Sequence, residues 1–301
     1  MRAPDSEAEL TWDGTDAPVL VARRGAVLHI RLNRPKALNS LTLEMIRIIA
    51  AALDVAEKDT AVGLVVIDGA GERGFCAGGD IRSVSESGRA GDGIAQAFWR
   101  AEYAVNARIA AFPKPYVAFM DGITMGGGVG LSAHGSHRIV TERTRLAMPE
   151  TGIGFIPDVG GTWLLARAPG ETGTYMGLTG NSVGAADAIF AGFADSVVPS
   201  AHWPALLAAL LALPSSAAAG DVDAVIAAFS EPAGRSLLSE QQSLIDRAMR
   251  ADDPSGIVDS LKADGSAFAL ETAETILSRS PTNVTVPVAL LHLGRQSPSL
   301  E

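Results

Sequence analysis

The sequence has a single cysteine, Cys76, among its 301 residues. One cysteine permits no internal disulfide, which fits a reducing compartment, so we expect a cytoplasmic protein. Long apolar runs are also lacking: the longest, residues 205–213, is too short to span a bilayer, although the mean hydropathy is +0.21. The N-terminal stretch MRAPDSEAEL has no apolar core of a secretory signal. These absences predict that no membrane is among the partners.

Acidic residues outnumber basic ones, and the formal net charge is −10. A chain of this charge repels a phosphate backbone, so we expect no nucleic acid among its partners. A local basic patch for one phosphorylated ligand is compatible with the acidic total. Aromatic residues make up only 5%, but 47% of the residues are hydrophobic and 19% are charged, which excludes disorder of the whole chain.

Several catalytic signatures are missing. The sequence has no GxxxxGK[ST] and no GxSxG, which excludes a P-loop and the nucleophile elbow of an esterase. His134 and His137 stand three residues apart, but without an acidic or cysteine cluster nearby we expect no metal site. Cys76 has no identifiable activating histidine, and its apolar neighbours are typical of a buried small hydrophobic residue.

One motif imitates a dinucleotide-binding fingerprint. Gly128, Gly130 and Ala133 match GxGxxA, and Glu150 follows at about the expected spacing of ~20 residues. In a Rossmann turn the first glycine follows the strand directly, whereas here ITM and two further glycines intervene after Gly122. We therefore expect no nicotinamide cofactor.

The order of the apolar patterns predicts an α/β protein. Residues 1–17 are polar and acidic, which predicts a flexible N-terminus. Residues 18–200 alternate strand and helix patterns, whereas residues 201–301 show helical patterns separated by Pro, Gly and Ser. This order is typical of an α/β core followed by a C-terminal helical region.

Individual elements follow from apolar periodicity. Two strands flank a hairpin turn at Arg24-Gly25, and the alternation of apolar residues with His29 and Arg31 predicts that the second strand is half-buried. A helix follows, for which Ser40 and Thr42 are available as N-caps. The apolar run at residues 62–67 predicts a strand covered on both faces. The remaining predicted elements are strands at YVAFMDG, RIV, RLAM and residues 192–198, and helices around Phe98 and from near Thr162.

Two glycine-rich turns follow buried strands and open helices, at residues 76–80 and 125–130. Glycine lets the backbone approach a ligand closely, and a helix N-terminus presents unpaired N–H groups with a partial positive charge. Two such turns facing each other can aim two N–H groups at one oxygen, as in an oxyanion hole. Tight packing between strand and helix accounts for the same glycines, so both interpretations stay open for each turn.

Two acids next to prolines interrupt the apolar stretch MPETGIGFIPDVGG, namely Glu150 and Asp158. Burial of a carboxylate raises its pKa and suits it to proton transfer near neutral pH. Asp158 has an alternative interpretation as the N-cap of the following helix. Glu150 has no comparable structural role, so it is the stronger catalytic candidate.

Four motifs in order make the chain resemble the crotonase (enoyl-CoA hydratase/isomerase) superfamily over about residues 18–200. They are NRPKALNSLTLEM, GFCAGGDIR, GITMGGGVGLS and MPETGIGFIPDVGG. Together with residues 265–282, they resemble the branch that cleaves 3-hydroxyisobutyryl-CoA in valine breakdown. The resemblance implies a spiral of ββα turns as the core, with a C-terminal helical region.

The resemblance also implies the roles of individual residues. The backbone N–H groups of Gly79 and Gly127 would be the oxyanion-hole donors, Glu150 the principal catalytic carboxylate and Asp158 its partner. The substrate would be an acyl-CoA thioester, with no permanently bound cofactor and no metal. Local positive charge near residues 34–36 would serve the phosphates. The residues implied in substrate binding are Glu102, Asn33, Arg34, Lys36, Ala37, Asn39, Ala77, Gly78, Asp80 and Gly126.

One position separates the branches of the superfamily. Hydratases have a second catalytic glutamate shortly after the GGG turn, where this chain has Gly130. The implied activity is hydrolysis of a short 3-hydroxyacyl-CoA, in particular of 3-hydroxyisobutyryl-CoA to 3-hydroxyisobutyrate and CoA. Glu150 would either attack the carbonyl or activate a water, and the sequence does not choose between these routes. The alternatives are an enoyl-CoA hydratase or isomerase acting through one carboxylate, and a CoA-thioester-binding protein without turnover.

Assembly and the C-terminus also follow from the resemblance. Relatives form trimers or pairs of trimers, which implies a homo-trimer or a hexamer. Members of the branch continue after the SPT-containing helix with an EYR-like stretch and a tryptophan-proline motif. Here SPTNVTVPVALLHLGRQSPSLE is the last stretch, so we expect the C-terminal helical region to end early.

Overall fold

The computed structural model describes residues 16–297, so most of the N-terminus predicted to be flexible lies outside the described residues. The strands are β1 (Val19–Arg24), β2 (Val27–Leu32), β3 (Leu64–Gly69), β4 (Gly74–Cys76), β5 (Tyr116–Met120), β6 (Ile123–Met125), β7 (His137–Val140), β8 (Arg145–Ala147) and β9 (Ser196–Val197). The α-helices are α1 (Leu43–Lys58), α2 (Ile81–Ala90), α3 (Ile94–Ala110), α4 (Gly127–Ser132), α5 (Gly161–Ala166), α6 (Thr172–Thr179), α7 (Ala185–Phe190), α8 (Trp203–Leu211), α9 (Ala219–Ala227), α10 (Leu237–Glu240), α11 (Gln242–Ala248), α12 (Pro254–Asp264), α13 (Ala267–Leu277) and α14 (Pro281–Gln296). Short 3₁₀ helices occur at Pro35–Ala37, Glu150–Ile153 and Ser200–His202.

Two sheets organise the first two-thirds of the chain. The larger sheet has the strand order β1-β2-β3-β5-β7-β9, in which β1 and β2 form an antiparallel hairpin and the other neighbours are parallel. The smaller sheet is parallel, with the order β4-β6-β8. Parallel neighbours require crossover connections, and helices such as α1, between β2 and β3, supply them. This arrangement confirms the predicted α/β class.

Strand β2 is covered on both faces, so the prediction of a half-buried strand is wrong. Leu28 and Ile30 pack into the main core, while Val27 packs into a second apolar cluster with the leucines of α8. His29, expected on a solvated face, is fully buried, and its Nε2 lies 3.1 Å from the Asp68 carboxylate. The reason is that α8 and α9 cover this second face of the sheet, which the strand's own pattern does not reveal.

Helix α1 begins as its sequence predicts. The side chain of Thr42, rather than that of Ser40, accepts a hydrogen bond from the backbone N–H of Met45. Strand β9 is shorter than the predicted segment 192–198, since only two of its residues pair with β7. Residues 192–195 form a turn instead, which Arg138 anchors through the Asp195 carboxylate and the Gly192 carbonyl.

The helical region packs on the larger sheet through Trp203. Its ring stacks on Phe119 with centroids 4.0 Å apart, and its Nε1 donates to Asp68 at 3.2 Å. Asp68 also binds Arg31 through two hydrogen bonds of 2.8 and 2.6 Å. Burial raises the pKa of Asp68, but the neighbouring His29 and Arg31 outweigh this effect and hold it below the usual range. Residues 200–297 are mainly helical, as predicted. Among the described residues, no helix is both long enough and apolar enough to cross a membrane.

Candidate active site

Each strand of the smaller sheet ends at a part of the candidate site. The glycine turn at 77–79 follows β4, the turn at 126–127 follows β6, and the 3₁₀ helix beginning at Glu150 follows β8. Because the three strands are parallel neighbours, their carboxyl ends lie at one edge of the sheet. Strands β4 and β6 were not predicted as separate elements, since three residues are too few to show a period. The sheet therefore brings together segments that are distant along the chain.

The two glycine turns meet backbone to backbone. A Cβ atom on Gly78 would lie 3.3 Å from the nitrogen of Gly127 and 3.0 Å from the carbonyl oxygen of Met125. Gly78 also has a φ of +96°, which side-chain-bearing residues rarely adopt. A Cβ on Gly128 would instead collide with the Cys76 carbonyl, so that glycine serves strand-helix packing. The packing interpretation therefore holds at Gly128, while the oxyanion-hole interpretation of the two turns stays a prediction.

The backbone N–H of Gly79 points away from its strand neighbour. Leu41 donates to the carbonyl of Gly78 at 2.8 Å, and the N–H of Asp80 donates to the carbonyl of Leu41 at 2.9 Å. Since successive peptide groups in an extended segment alternate in direction, the N–H of Gly79 faces the opposite side. Its nitrogen lies 3.4 Å from where a Cβ atom would sit on Gly127. Gly127 is the first residue of α4, so its own N–H has no partner within the helix.

Glu150 lies against the second glycine turn. It is 6% exposed, and its Oε2 has no hydrogen-bond partner among the residues that the structure describes. A Cβ atom on Gly126 would be 2.8 Å from its Oε1, so the absence of a side chain there makes room for the carboxyl group. Burial raises the pKa of Glu150 to about 8, and the charge of Asp158 adds to the rise. A carboxyl with this pKa can exchange a proton near neutral pH.

Glu102, on α3, is the second buried carboxyl. It is 2% exposed, its Oε1 is unpaired within residues 16–297, and its side chain contacts the space beside Gly127. Burial raises the pKa of Glu102 well above its usual value, and the carboxylates of Asp158 and Glu150 raise it further. The structure therefore brings together three carboxyl groups that hinder one another's ionisation. Across residues 16–297, no group of three or more His, Cys, Asp and Glu side chains is arranged to hold a metal ion.

Asp158 does not cap a helix, so that interpretation is wrong. Helix α5 has Gly160 at its N-cap position, and no side chain caps it. The Asp158 carboxylate instead accepts a hydrogen bond from the Tyr103 hydroxyl at 2.8 Å. Burial raises the pKa of Asp158, although the bond from Tyr103 opposes this. Tyr103 was missed in the sequence because nothing distinguishes it from other helix residues.

The backbone beside Asp158 is strained. Val159 has a φ of +49°, a left-handed conformation that a β-branched residue adopts at a cost of about 1–3 kcal/mol. Its carbonyl oxygen accepts a hydrogen bond of 2.8 Å from Nε2 of His134. Since a carbonyl can only accept, that nitrogen carries the proton. Burial lowers the pKa of His134, which keeps the ring neutral in this role.

An apolar cavity of about 270 Å³ joins these groups. Trp99 and Phe155 form one wall, with stacked rings whose centroids are 5.7 Å apart. The cavity is lined by Ala77, Gly78, Gly79, Ile81, Val84, Phe98, Trp99, Glu102, Gly126, Gly127, Pro149, Glu150, Ile153, Gly154, Phe155 and Asp158. An apolar pocket with a few convergent polar groups is the usual form of a small-molecule site.

The predicted substrate segment 33–39 lies beside the first glycine turn but outside this cavity. Arg34 forms an ion pair of 3.1 Å with Asp80 and also binds the carbonyl of Ser40, so its charge is partly used within the protein. Lys36 and Ala37 are exposed on the 3₁₀ helix. Asn33 donates to the carbonyl of Ala17 at 2.9 Å.

Asn39 is fully buried and holds the turns rather than facing the cavity. Its Nδ2 donates to the carbonyls of Ala70, Gly74 and Phe75 at 3.0–3.1 Å, and its Oδ1 accepts from the N–H of Arg34 at 2.9 Å. Its backbone has a φ of +54°. We interpret Asn39 as a residue that positions the substrate segment.

The second hydratase glutamate has no room in this structure. A Cβ atom on Gly130 would lie 2.8 Å from both Nδ2 of Asn106 and Cβ of Val159. Larger side chains are excluded more strongly, because both neighbours are themselves buried. Position 130 therefore lacks a catalytic side chain and also lacks the space to hold one.

Comparisons with known proteins agree with this geometry. A family model described as enoyl-CoA hydratase/isomerase matches residues 27–301. The 3-hydroxyisobutyryl-CoA hydrolase of Danio rerio, described as mitochondrial, is 46% identical over 281 residues, which cover 92% of this chain and 73% of that protein. The human protein of the same description is 42% identical over 287 residues, or 93% of this chain and 74% of its own length.

Solved structures show the same fold. A structure described as a carnitinyl-CoA dehydratase from Mycobacterium thermoresistibile superposes with a TM-score of 0.90 at 45% identity, over 95% of this chain and 82% of its own. One described as an enoyl-CoA hydratase from Rhodobacter sphaeroides gives a TM-score of 0.84 at 45% identity, over 94% and 81%. The match of the family model across most of the chain shows that the protein belongs to the enoyl-CoA hydratase/isomerase family.

Proposed function

We propose that the protein hydrolyses a short 3-hydroxyacyl-CoA thioester, in particular 3-hydroxyisobutyryl-CoA to 3-hydroxyisobutyrate and CoA. The observation that carries this proposal is the placement of Glu150 against the second glycine turn, at the cavity where the two turns meet, together with the filled space at Gly130. Hydrolysis needs one base or nucleophile, whereas hydration by two glutamates needs the carboxylate that Gly130 excludes. The names of the Danio rerio and human relatives support the same reaction.

In the proposed mechanism the thioester oxygen lies between the N–H groups of Gly79 and Gly127. Donors aimed at the developing negative charge stabilise the tetrahedral intermediate, and one such donor is typically worth a factor of about 10²–10³ in rate. Glu150 either attacks the carbonyl carbon or removes a proton from the attacking water. In both routes the C–S bond breaks, the oxygen of one water enters the product acid, and the sulfur takes up a proton.

Asp158 assists proton transfer or orients the β-hydroxyl of the substrate, and Glu102 contacts the acyl part. Coenzyme A enters as part of the substrate, so the proposal includes no permanently bound cofactor. Lys36 lies exposed where it can meet the phosphates, while Arg34 shares its charge with Asp80.

A place in valine breakdown follows from the same substrate. Cytoplasmic location and a homo-trimer or hexamer stay predictions.

A second candidate is hydration or dehydration of an enoyl-CoA. Glu102 and Glu150 are both buried carboxyls at the same cavity, and such a pair can supply an acid and a base. The names of the two solved structures at 45% identity also describe hydratase-type reactions. The hydratase alternative predicted from the sequence acts through one carboxylate, whereas this pair provides two. The assay must therefore include an unsaturated substrate.

The test supplies 3-hydroxyisobutyryl-CoA and crotonyl-CoA in parallel to the wild type and to Glu150→Ala. We expect free thiol to be released only from the first substrate, and the release to fall by a factor of at least about 10³ in the variant. Loss of the enoyl absorbance without thiol release would establish the second candidate instead. Binding of both thioesters without turnover, unchanged in Glu150→Gln, would establish a binding protein. Rapid quenching during a single turnover, followed by mass spectrometry, separates the two routes, because only covalent attack leaves an acyl group on Glu150.

A further inference from the structure

A second cavity lies behind Asp158. It has a volume of about 410 Å³, is open to solvent and is lined by α3, the loop at residues 155–160 and Leu290 of α14. Asp158 and Phe155 line both this cavity and the one beside Glu150. The hydrogen bond between Tyr103 and Asp158 lies at the partition between them. An acyl-CoA that fills the first cavity therefore leaves the second cavity as a separate approach to the same carboxylate.

Asn106 gives this second cavity a polar wall. The residue is 2% exposed, yet neither its Nδ2 nor its Oδ1 has a hydrogen-bond partner within residues 16–297. Buried amides of this kind are normally satisfied by ordered water when the neighbouring space is large enough to hold it. The cavity beside Asn106 exceeds the share of one water, about 30 Å³, many times over.

The absence of a side chain at Gly130 leaves room for the amide of Asn106. A Cβ atom on Gly130 would be 2.8 Å from Nδ2 of Asn106, so the amide occupies the room that a side chain at Gly130 would need. An amide can orient a water through donor and acceptor, but it cannot remove a proton at neutral pH. This neutral group therefore stands beside the position where hydratases have a second glutamate.

We propose that the second cavity is the entry route and holding site of the hydrolytic water, and that Asn106 is its positioning residue. The inference rests on the proposed hydrolase function. The water passes Asn106 and Asp158, and its oxygen bonds to the acyl carbon. One of its protons passes to Glu150 in the direct route or to the Asp158 carboxylate in the covalent route. The bond that breaks is C–S in the direct route, or the C–O bond to Glu150 in the covalent route, and the leaving thiolate or carboxylate carries the electron pair.

A bulky side chain that fills the second cavity tests the water route without changing a catalytic group. Ala107 lines the second cavity, whereas Ala104, on the same helix, is exposed to solvent. We expect Ala107→Phe to lower kcat at least about tenfold while the Kd of an unreactive thioether analogue of the substrate changes less than about twofold. Ala107→Ser and Ala104→Phe serve as controls and should retain wild-type kcat. A correctly folded Ala107→Phe protein that turns over at the wild-type rate would overturn the water route.

A second measurement addresses Asn106 directly. With methanol added, the acyl group partitions between the acid, formed with water, and the methyl ester, formed with methanol. We expect Asn106→Leu to raise the ester-to-acid ratio at least about threefold, since an apolar wall disfavours water more than methanol. Asn106→Ser, which has a polar hydroxyl in place of the amide, should give an ester-to-acid ratio between those of the wild type and Asn106→Leu. An unchanged ratio would overturn the role of Asn106, because a purely structural defect lowers both products equally. If the wild type releases no thiol at all, the proposed function fails, and this outcome is distinct from either failure above.

Discussion

The Tyr103 hydroxyl donates to Oδ2 of Asp158 at 2.8 Å, and this bond joins α3 to a loop 55 residues further along the chain. Tyr103 is 40% exposed, while the carboxyl it binds lines the cavity. The bond stabilises the charged form of Asp158 against the effect of burial. It therefore influences the pH at which Asp158 can accept a proton.

Replacement of Tyr103 by phenylalanine should shift the acidic limb of the pH–kcat profile upward. A lost hydrogen bond of about 1 kcal/mol corresponds to a shift of about half to one pH unit. Steady-state thiol release across pH 5–9 measures the shift. Tyr116→Phe is the control, because the Tyr116 hydroxyl is buried and donates to the carbonyl of Leu131 away from the cavity. Profiles that coincide for wild type and Tyr103→Phe would contradict the prediction.

Glu150→Gln should stabilise the protein at neutral pH. Since burial raises the folded-state pKa of Glu150 from 4.5 to about 8, the folded state binds more protons between these values and loses stability as pH rises through them. At pH 7 this loss is up to about 3 kcal/mol, and an amide avoids it.

Urea unfolding at pH 4 and pH 7 checks this sign. We expect Glu150→Gln to raise the free energy of unfolding at pH 7 but to have little effect at pH 4. Glu274→Gln, at an exposed position on α13, is the matched control and should have a small effect at both values. Equal effects of Glu150→Gln at both pH values would refute the proposed cause.

Gly126→Ala should abolish most activity while the chain still folds. The added Cβ lies 2.8 Å from Oε1 of Glu150, and the φ of +50° disfavours any side chain there. We expect kcat to fall by about 10²-fold or more, because the carboxyl group must move from the acyl carbon. Gly88→Ala is the control: a Cβ at Gly88 meets nothing within 4 Å, and α2 should gain about 0.5–1 kcal/mol. Near-normal turnover in Gly126→Ala would show that Glu150 acts from elsewhere.

Gly130→Glu should not create a hydratase. The new side chain must displace Asn106 and Val159, and overpacking of this kind costs about 1–3 kcal/mol. Crotonyl-CoA hydration and thermal unfolding together measure the outcome. Gly220→Glu, at an exposed glycine with open space around its Cβ position, should leave hydration unchanged and should not lower the temperature of unfolding. Measurable gain of hydration by a stable Gly130→Glu protein would contradict the steric argument.

Cys76 should resist thiol reagents in the native protein. Its side chain is fully buried, and burial raises the pKa of the thiol to about 12, so thiolate is scarce. We expect an aromatic disulfide reagent to label the protein only after urea unfolding. The thiol-release assay then has no background from the enzyme itself. Rapid labelling without denaturant would show that the turn at Cys76 opens readily.

Short apolar runs and apolar periodicity were sufficient to predict much of the fold, but not how both faces of the sheet are covered. Residues 62–67, which include the first four residues of β3, are apolar apart from Gly63, and their burial was predicted correctly. His29 was placed on a solvated face because its own strand alternates, yet α8, about 175 residues further along, covers it. Strands β4 and β6 depend on pairing with neighbours rather than on their own three residues.

The site was predictable where residue type and local setting agree. Glu150 and Asp158 are acids in an apolar stretch, and the structure brings both to the cavity. Glu102 came only from the resemblance to a family. Tyr103 and Asn106 occupy ordinary helix positions, so only the packing of α3 against the loop at 155–160 shows what they face. Arg34 was expected to serve a ligand, but Asp80 from another segment binds it.

The small sheet also determines how such a site can diverge. Hydrogen-bonded strands hold their neighbours about 4.8 Å apart, so β4, β6 and β8 together fix the spacing of Gly79, Gly127 and Glu150. One wall of the cavity comes instead from α3 and the loop at 155–160, whose residues can vary without changing that spacing. Substrate range can therefore change by exchange of helix and loop residues while the attack geometry is inherited intact. Libraries meant to alter the acyl group accepted should be confined to Phe98, Trp99 and Phe155.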